Sequence, residues 1–267
     1  MSGFSSEWLR LREPADHRAR DRGLMDRLAA HFTGREALSI LDLGCGTGSN
    51  LRATAPSLPA RQSWRLIDHD DALLAAARTE IESWRRTHPL PLDIAYEAAD
   101  LNAGLDGVLD GDCDIVTASA LFDLVSERWL ARFAARMAKR RPVFYTVLIF
   151  DGVMRWHPAH PADEAVGTAF CAHQRSDKGF GAAAGPDAGR HLAERLSEAG
   201  YRVSTAASPW RLGPGEKELM TATATGIADA AAETGLISAA DLASWRATRP
   251  DLEACEIGHV DLLALPE

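Results

Sequence analysis

The stretch ILDLGCGTGSN, residues 40–50, constrains this chain more than any other. An apolar run, ALSILDLG at 37–44, reads as a buried strand, and it empties into a bend with Gly44, Gly46 and Gly48 at alternate positions. Glycine takes positive φ without a Cβ clash and lets a ligand approach the main chain closely. A strand that ends in such a bend and passes into a short helix belongs to an open α/β sheet rather than to an all-α or all-β fold.

The first 150 residues repeat this alternation. Helical periodicity over 20–32 puts Leu24, Met25, Leu28, Ala29 and Phe32 on one face, with Gly34 as the stop. WRLID (64–68), part of LDIAYEAAD (92–100), DIVTASAL (114–121) and PVFYTVLIF (142–150) read as further strands. Between them, a helix over 70–86 carries Leu73, Leu74, Ala77, Ile81 and Trp84 on one side. Ser126 caps another that carries Trp129, Leu130, Phe133 and Met137. Nearly continuous apolar strands joined by helices predict a doubly wound, mostly parallel α/β sheet covered on both faces.

The alternation breaks after 150. Residues 151–186 are polar and rich in His, Trp, Gly and Pro. A helix at 187–199 and a strand at 201–206 follow, then a mainly helical stretch at 214–250 and a last strand at 256–265. The expectation is one domain over 1–267. It has an N-terminal helical segment, 1–34, and insertions at 151–186 and 214–250 of the kind that form lids or binding loops.

Composition narrows the function. With 46% hydrophobic residues the chain can bury a core, and its 29 basic against 38 acidic residues leave a net charge of -9, poorly suited to gripping nucleic acid. Cys45, Cys113, Cys171 and Cys255 are scattered and form no CxxC pair, which suits a reducing compartment. No signal-peptide core and no run near the roughly 20 apolar residues of a membrane span is present. A cytoplasmic protein with neither nucleic acid nor membrane as partner is expected; the sequence leaves its oligomeric state open.

Acids stand where the strands should end. Asp42 closes the first, Asp68 the second and Asp100 the third, while the fourth exits at Ala118 and Ser119. Ligands bind at the carboxyl ends of strands in open α/β sheets, and an acid ending the second strand accepts hydrogen bonds from ribose hydroxyls. A dinucleotide loop would read G-x-G-x-x-G, but Ser49 stands where its last glycine belongs, and the loop has no lysine for a Walker motif. DLGCGTG at 42–48 instead resembles the D/E-x-G-x-G-x-G loop of the class I (Rossmann-like) S-adenosylmethionine-dependent methyltransferases, a resemblance that covers roughly residues 20–150.

That resemblance implies a seven-stranded sheet whose last strand, 256–265, runs antiparallel between the fifth and the sixth, 201–206. It implies S-adenosylmethionine as cofactor. Asp42 and the Gly44 backbone would hold its amino-acid end, and Gly46 and Gly48 would let the loop pass beneath. Asp68 would take the ribose hydroxyls. Asp100 and the Leu101 N–H would read the adenine, on which His69 would pack, and the Ala118 carbonyl, beside Ser119, would receive the ammonium. About fifty residues between the last two strands, where the family has a short connection, mark a substrate-side elaboration.

The acceptor side is read from the residues. His157 and His173, with Asp123 just after the fourth strand, are candidate bases. Trp156, Gln174, Lys178 (one of three lysines) and Phe180 are candidate substrate contacts. Pro158 between His157 and His160 spoils a helical ligand pair, so no metal is expected. Arg12, Asp16, Arg18 and Arg20 precede the first periodic helix. One of these arginines could clamp the cofactor carboxylate, although a solvated face is the plainer reading. The function expected is methyl transfer to a small molecule. A regulatory binder of the same cofactor, or another adenosyl-ligand transferase, is the alternative.

Overall fold

The structure is a computed structural model that describes residues 4–58 and 61–267. Two helices, α1 (Ser6–Ala19) and α2 (Arg22–His31), open the chain, so the expected helical segment 1–34 is a helix pair, of which residues 1–3 lie outside the described residues. The α/β repeat follows as β1 (Ala37–Leu43), α3 (Ser49–Thr54), β2 (Arg61–Asp68), α4 (Asp71–Arg85), β3 (Leu92–Ala98), α5 (Leu101–Val108), β4 (Ile115–Ser119) and α6 (Glu127–Arg140). Polar side chains start these helices. Asp21, Asp70, Asp100 and Ser126 each accept from a first-turn N–H at the N-caps of α2, α4, α5 and α6.

The remaining elements are β5 (Val143–His157), α7 (Asp163–Gln174), α8 (Ala188–Glu198), β6 (Tyr201–Ala207), β7 (Trp210–Leu212), α9 (Lys217–Thr234), α10 (Ala239–Thr248) and β8 (Ala254–Pro266). The strand order is β3-β2-β1-β4-β5-β8-β6, with β7 also on β8. Strands β1 to β5 pair in parallel, and β8 runs antiparallel to β5, β6 and β7. The expected order holds, with β7 as an eighth strand too short to be seen as a periodic run.

Alternation along the strands sends side chains to two layers. Leu41, Leu43, Val116 and Phe144 pack under α5, α6 and α8, while Ile40, Trp64, Leu66 and Tyr145 pack under α2, α3 and α4. Asp42 shares the second of these faces.

The structure corrects the reading of 151–186 as a loop insertion. Strand β5 does not stop at Phe150. A register shift between Phe150 and Met154 bulges it at Asp151 and Gly152, where Asp151 accepts the Val153 N–H at 2.9 Å and Gly152 takes φ 89°, and it then pairs on to His157. The bulge breaks the period-2 pattern, which is why the extension reads as polar loop. Helix α7 packs on α9, so the two insertions form one helical layer. Its core joins α1, α7, α9 and α10 through Ala15, Val166, Leu219, Met220 and Trp245.

Candidate functional site

The glycine bend continues β1 directly. Gly44, Gly46 and Gly48 sit at φ 64°, 53° and 77°. The Cys45 N–H donates to the Ile67 carbonyl at 2.9 Å and ties the bend to β2, and the Gly48 N–H closes a turn on Cys45 at 2.8 Å. A Cβ at Gly48 would stand 2.6 Å from Ile81 Cδ1, and one at Gly46 would stand 3.1 Å from Leu9 Cδ1 of α1. Conformation and space both demand glycine there.

The acids gather around this bend. Asp42 is fully buried, its Oδ1 accepting from Asn50 Nδ2 at 2.7 Å while its Oδ2 has no partner. Burial pushes its carboxyl up to about 7; the Asn50 bond and the Arg20 charge work against that, and Asp68 adds to it. Arg20 is buried too. Its Nη1 donates to Asn50 Oδ1 at 2.9 Å and to Thr54 Oγ1 at 3.1 Å, and its Nε and Nη2 are unpartnered. Asp68 is buried at the end of β2, accepting the Gly46 N–H at 2.8 Å through Oδ2 and the Asp70 N–H at 3.1 Å through Oδ1. His69, largely exposed, brings Nδ1 to 3.3 Å from Asp68.

Asp100 is exposed at the tip of β3, capping α5 through the Asn102 N–H, and the adjacent Ala99 N–H donates to the Asp68 carbonyl at 2.9 Å. Leu101 is buried, its carbonyl accepting from Trp129 Nε1 at 2.9 Å. Ala118 is buried level with Leu43 and Thr146, and Ser119 follows half-buried. Ala120 takes φ 51° to turn the chain away. The fold therefore brings the bend, Asp68, Asp100 and the β4 exit to neighbouring strand tips, at the point between β1 and β4 where strand order reverses. The unpartnered Asp42 Oδ2 and the glycine cradle fit a ligand with an ammonium at one end and a sugar in the middle.

On the acceptor side the expected residues separate. Asp123 lies in the short turn after β4, 7% exposed, its Oδ1 unpartnered and its carboxyl pushed by burial up to about 6, with Arg12 opposing. Phe180 packs edge-on against Trp129 at 5.8 Å, and its neighbour Gly179 accepts from Asn102 Nδ2 at 2.7 Å, so this loop abuts the start of α5.

Most of the other acceptor-side candidates have partners of their own. His173 is paired with Glu233 of α9 at 3.1 Å and meets Lys178 Nζ at 3.2 Å. Lys178 also donates to Ser176 at 2.9 Å, and Gln174 closes α7, half-buried. His157 sits ten residues beyond Val147 on β5, exposed against Glu253 at 3.2 Å. Trp156 is a core residue of the helical layer, edge-on to Trp245 at 5.3 Å. Of these five, the bulged β5 carries Trp156 and His157 beyond the strand tips, Glu233 of α9 engages His173, and Lys178 meets His173 and Ser176.

Sequence reasoning missed a cluster on α1. Arg12 and Asp16 are buried, joined at 2.8 and 3.2 Å; Trp210 Nε1 donates to Asp16 at 2.9 Å; and Arg12 lies over the Trp210 ring at 5.0 Å. His259 of β8 is also buried beside Trp210, its Nδ1 unpartnered. Nothing in the local periodicity distinguishes this face of α1 from a solvated one.

This strand-tip geometry is that of a nucleotide-binding α/β enzyme. Residues 40–140 match a family model described as a methyltransferase domain. No curated protein sequence matches the chain. Among solved structures the fold is similar to that of the cyclopropane synthase MmaA2 from Mycobacterium tuberculosis, at 13% identity over 98% of this chain and 94% of that one, with a TM-score of 0.53. It is similar also to the YcgJ protein from Bacillus subtilis, at 12% identity over 92% and 100%, with a TM-score of 0.50. At such identities these two speak for the fold. Residues 40–140 thus form a methyltransferase domain, the fold is the Rossmann-like one of the class I S-adenosylmethionine-dependent methyltransferases, and S-adenosylmethionine is the cofactor such a domain uses.

Proposed function

We propose that this enzyme methylates a small-molecule acceptor. The observation that carries this reading is the burial of Asp123, which is 7% exposed just after the β4 exit and favours a compact acceptor over a polymer. The net charge of -9 also disfavours an anionic polymer. The four cysteines are free thiols, in keeping with a cytoplasmic enzyme, and among the described residues no helix is long and apolar enough to cross a membrane.

S-adenosylmethionine supplies a methyl group already activated on a sulfonium sulfur. The protein's task is then to orient and to exclude water. In this reading Asp42, with the Gly44 backbone and the Ala118 carbonyl, holds the ammonium end. Arg20 offers its two unpartnered nitrogens to the carboxylate. Asp68 takes the ribose hydroxyls, and the bend at Gly46 and Gly48 passes beneath. Asp100 and the Leu101 N–H take the adenine, with His69 over it and Ser119 at the wall. Among the candidate bases Asp123 is favoured, because it alone is buried next to the β4 exit.

Calorimetry with S-adenosylhomocysteine tests this assignment. Asp68→Ala is expected to weaken binding by about 1–3 kcal/mol, through loss of charge-assisted hydrogen bonds. Arg20→Met is expected to weaken S-adenosylhomocysteine but not methylthioadenosine, which lacks the amino-acid end. Unchanged affinities would remove those two residues from these roles, and no binding at all would remove the cofactor site from this bend.

A further inference from the structure

A second polar constellation, walled by aromatic rings, adjoins the glycine bend. Leu121 Cδ1 is 3.3 Å from where a Cβ on Gly44 would stand, and two residues later Asp123 turns inward with Oδ1 buried and unpartnered. Across β5, His259 is level with Phe150, three residues beyond Val147, which itself pairs with Ser119 at the end of β4. His259 is 6% exposed, and its Nδ1 is also buried and unpartnered. Its ring lies 5.2 Å from Trp210 and 6.4 Å from Phe150.

The Arg12 charge acts on Asp123 and on His259 alike, and the Phe150 main chain also bears on the Asp123 carboxyl. Burial, with Arg12, pushes the imidazole down to about 3 against an opposing main-chain hydrogen bond at Ile257, so it is neutral at physiological pH. Arg12 itself is held by Asp16 in two hydrogen bonds and brings no free charge for an anion.

Buried polar atoms are nearly always partnered, and an unsatisfied one costs about 1–3 kcal/mol. Of the two here, one follows the carboxyl end of β4 and the other faces Phe150 three residues past the last β4–β5 pair, on the edge where open α/β sheets bind ligands. We infer that Asp123 Oδ1 and His259 Nδ1 form the subsite for the polar head of the methyl acceptor, and that this acceptor is a small uncharged ring bearing a hydroxyl or an amine. The carboxylate accepts from the head and the neutral imidazole completes its hydrogen bonding. Phe150 and Trp210 wall the apolar remainder, and Asp123 repels a carboxylate or phosphate head. The inference rests on the methyltransferase reading of the neighbouring bend and adds His259 to it as a positioning residue.

The test uses the full chain loaded with S-adenosylhomocysteine and four ring probes: phenol, aniline, toluene and benzoate. Calorimetry follows affinity, and imidazole nitrogen resonances report on His259. Phenol and aniline are expected to shift the His259 resonances and to bind about tenfold more tightly than toluene or benzoate, the discrimination of one buried hydrogen bond. His259→Phe and Asp123→Asn are each expected to erase that preference while S-adenosylhomocysteine affinity stays within about twofold. His259→Gln, which keeps a polar group, is expected to retain part of it. If S-adenosylhomocysteine binds but phenol neither moves His259 nor outcompetes toluene, the inference is overturned, whatever the variants do. If S-adenosylhomocysteine does not bind, it is the reading of the glycine bend that fails.

Discussion

Asp42 is a carboxyl group that the fold has taken out of water. With its carboxyl raised to about 7 by burial, the native chain holds a proton that the unfolded chain releases near 4. The sign follows directly. Between about pH 4 and 7 the native state binds more protons than the unfolded one, so the contribution is full below pH 4 and lost as pH rises through 7. Asp42→Asn, which keeps the acceptor for Asn50, is expected to remove a decline on the order of a few kcal/mol over that window. Urea unfolding of the two proteins at a series of pH values checks it through the difference curve, in which Asp123, Asp261 and His259 cancel. The places of Asp42 and Asp68 were legible in the sequence because a strand end and a glycine bend fix where an acid must lie. Arg20 was not singled out from Arg12 and Arg18, since only the folded chain sets it against Asn50 and Thr54.

At the scale of elements, α1 is the part the sequence hides. Arg12 and Asp16 are an i,i+4 pair, and such a pair reads alike whether it faces solvent or a partner 194 residues away. Here it faces Trp210. Its neighbours fasten the same helix to the nucleotide side, where Glu13 meets Arg52 at 2.9 and 2.5 Å and His17 meets Ser49 at 2.9 Å. Arg12→Ala strands the buried Asp16 carboxylate and is expected to cost about 3–5 kcal/mol in urea unfolding. The double variant Arg12→Ala/Asp16→Ala is expected to cost less than the sum of the two single changes, because no unpaired charge is left behind. The extension of β5 was hidden differently: its bulge cancels the alternation by which a strand is recognised, although each half alone is regular.

For the whole molecule, the open question is whether the grafted helical layer and the nucleotide-binding half hold together as one unit. Trp245 is the layer's centre, fully buried, edge-on to Trp156 and donating from Nε1 to Asp163 at 2.7 Å. Trp245→Ala is expected to cost about 3–5 kcal/mol. Hydrogen exchange is expected to quicken in α7, α9 and α10 while amides of β1, β2 and β4 keep their protection, as for a locally opening unit. Equal quickening everywhere would mean a single cooperative body. The layer's existence was legible from two segments too long for plain loops. Its packing was not, because α7 and α9 meet across more than forty residues of intervening chain.

Strand β8 bonds along its length to β5, with β6 on its later half and β7 on its earlier half. A ribosome delivers it after every one of those partners. Until it emerges, β5 and β6 expose open edges with no mate beside them, and the wall that carries His259 does not exist. The cofactor bend, made from the first strands, can take shape well before the acceptor wall.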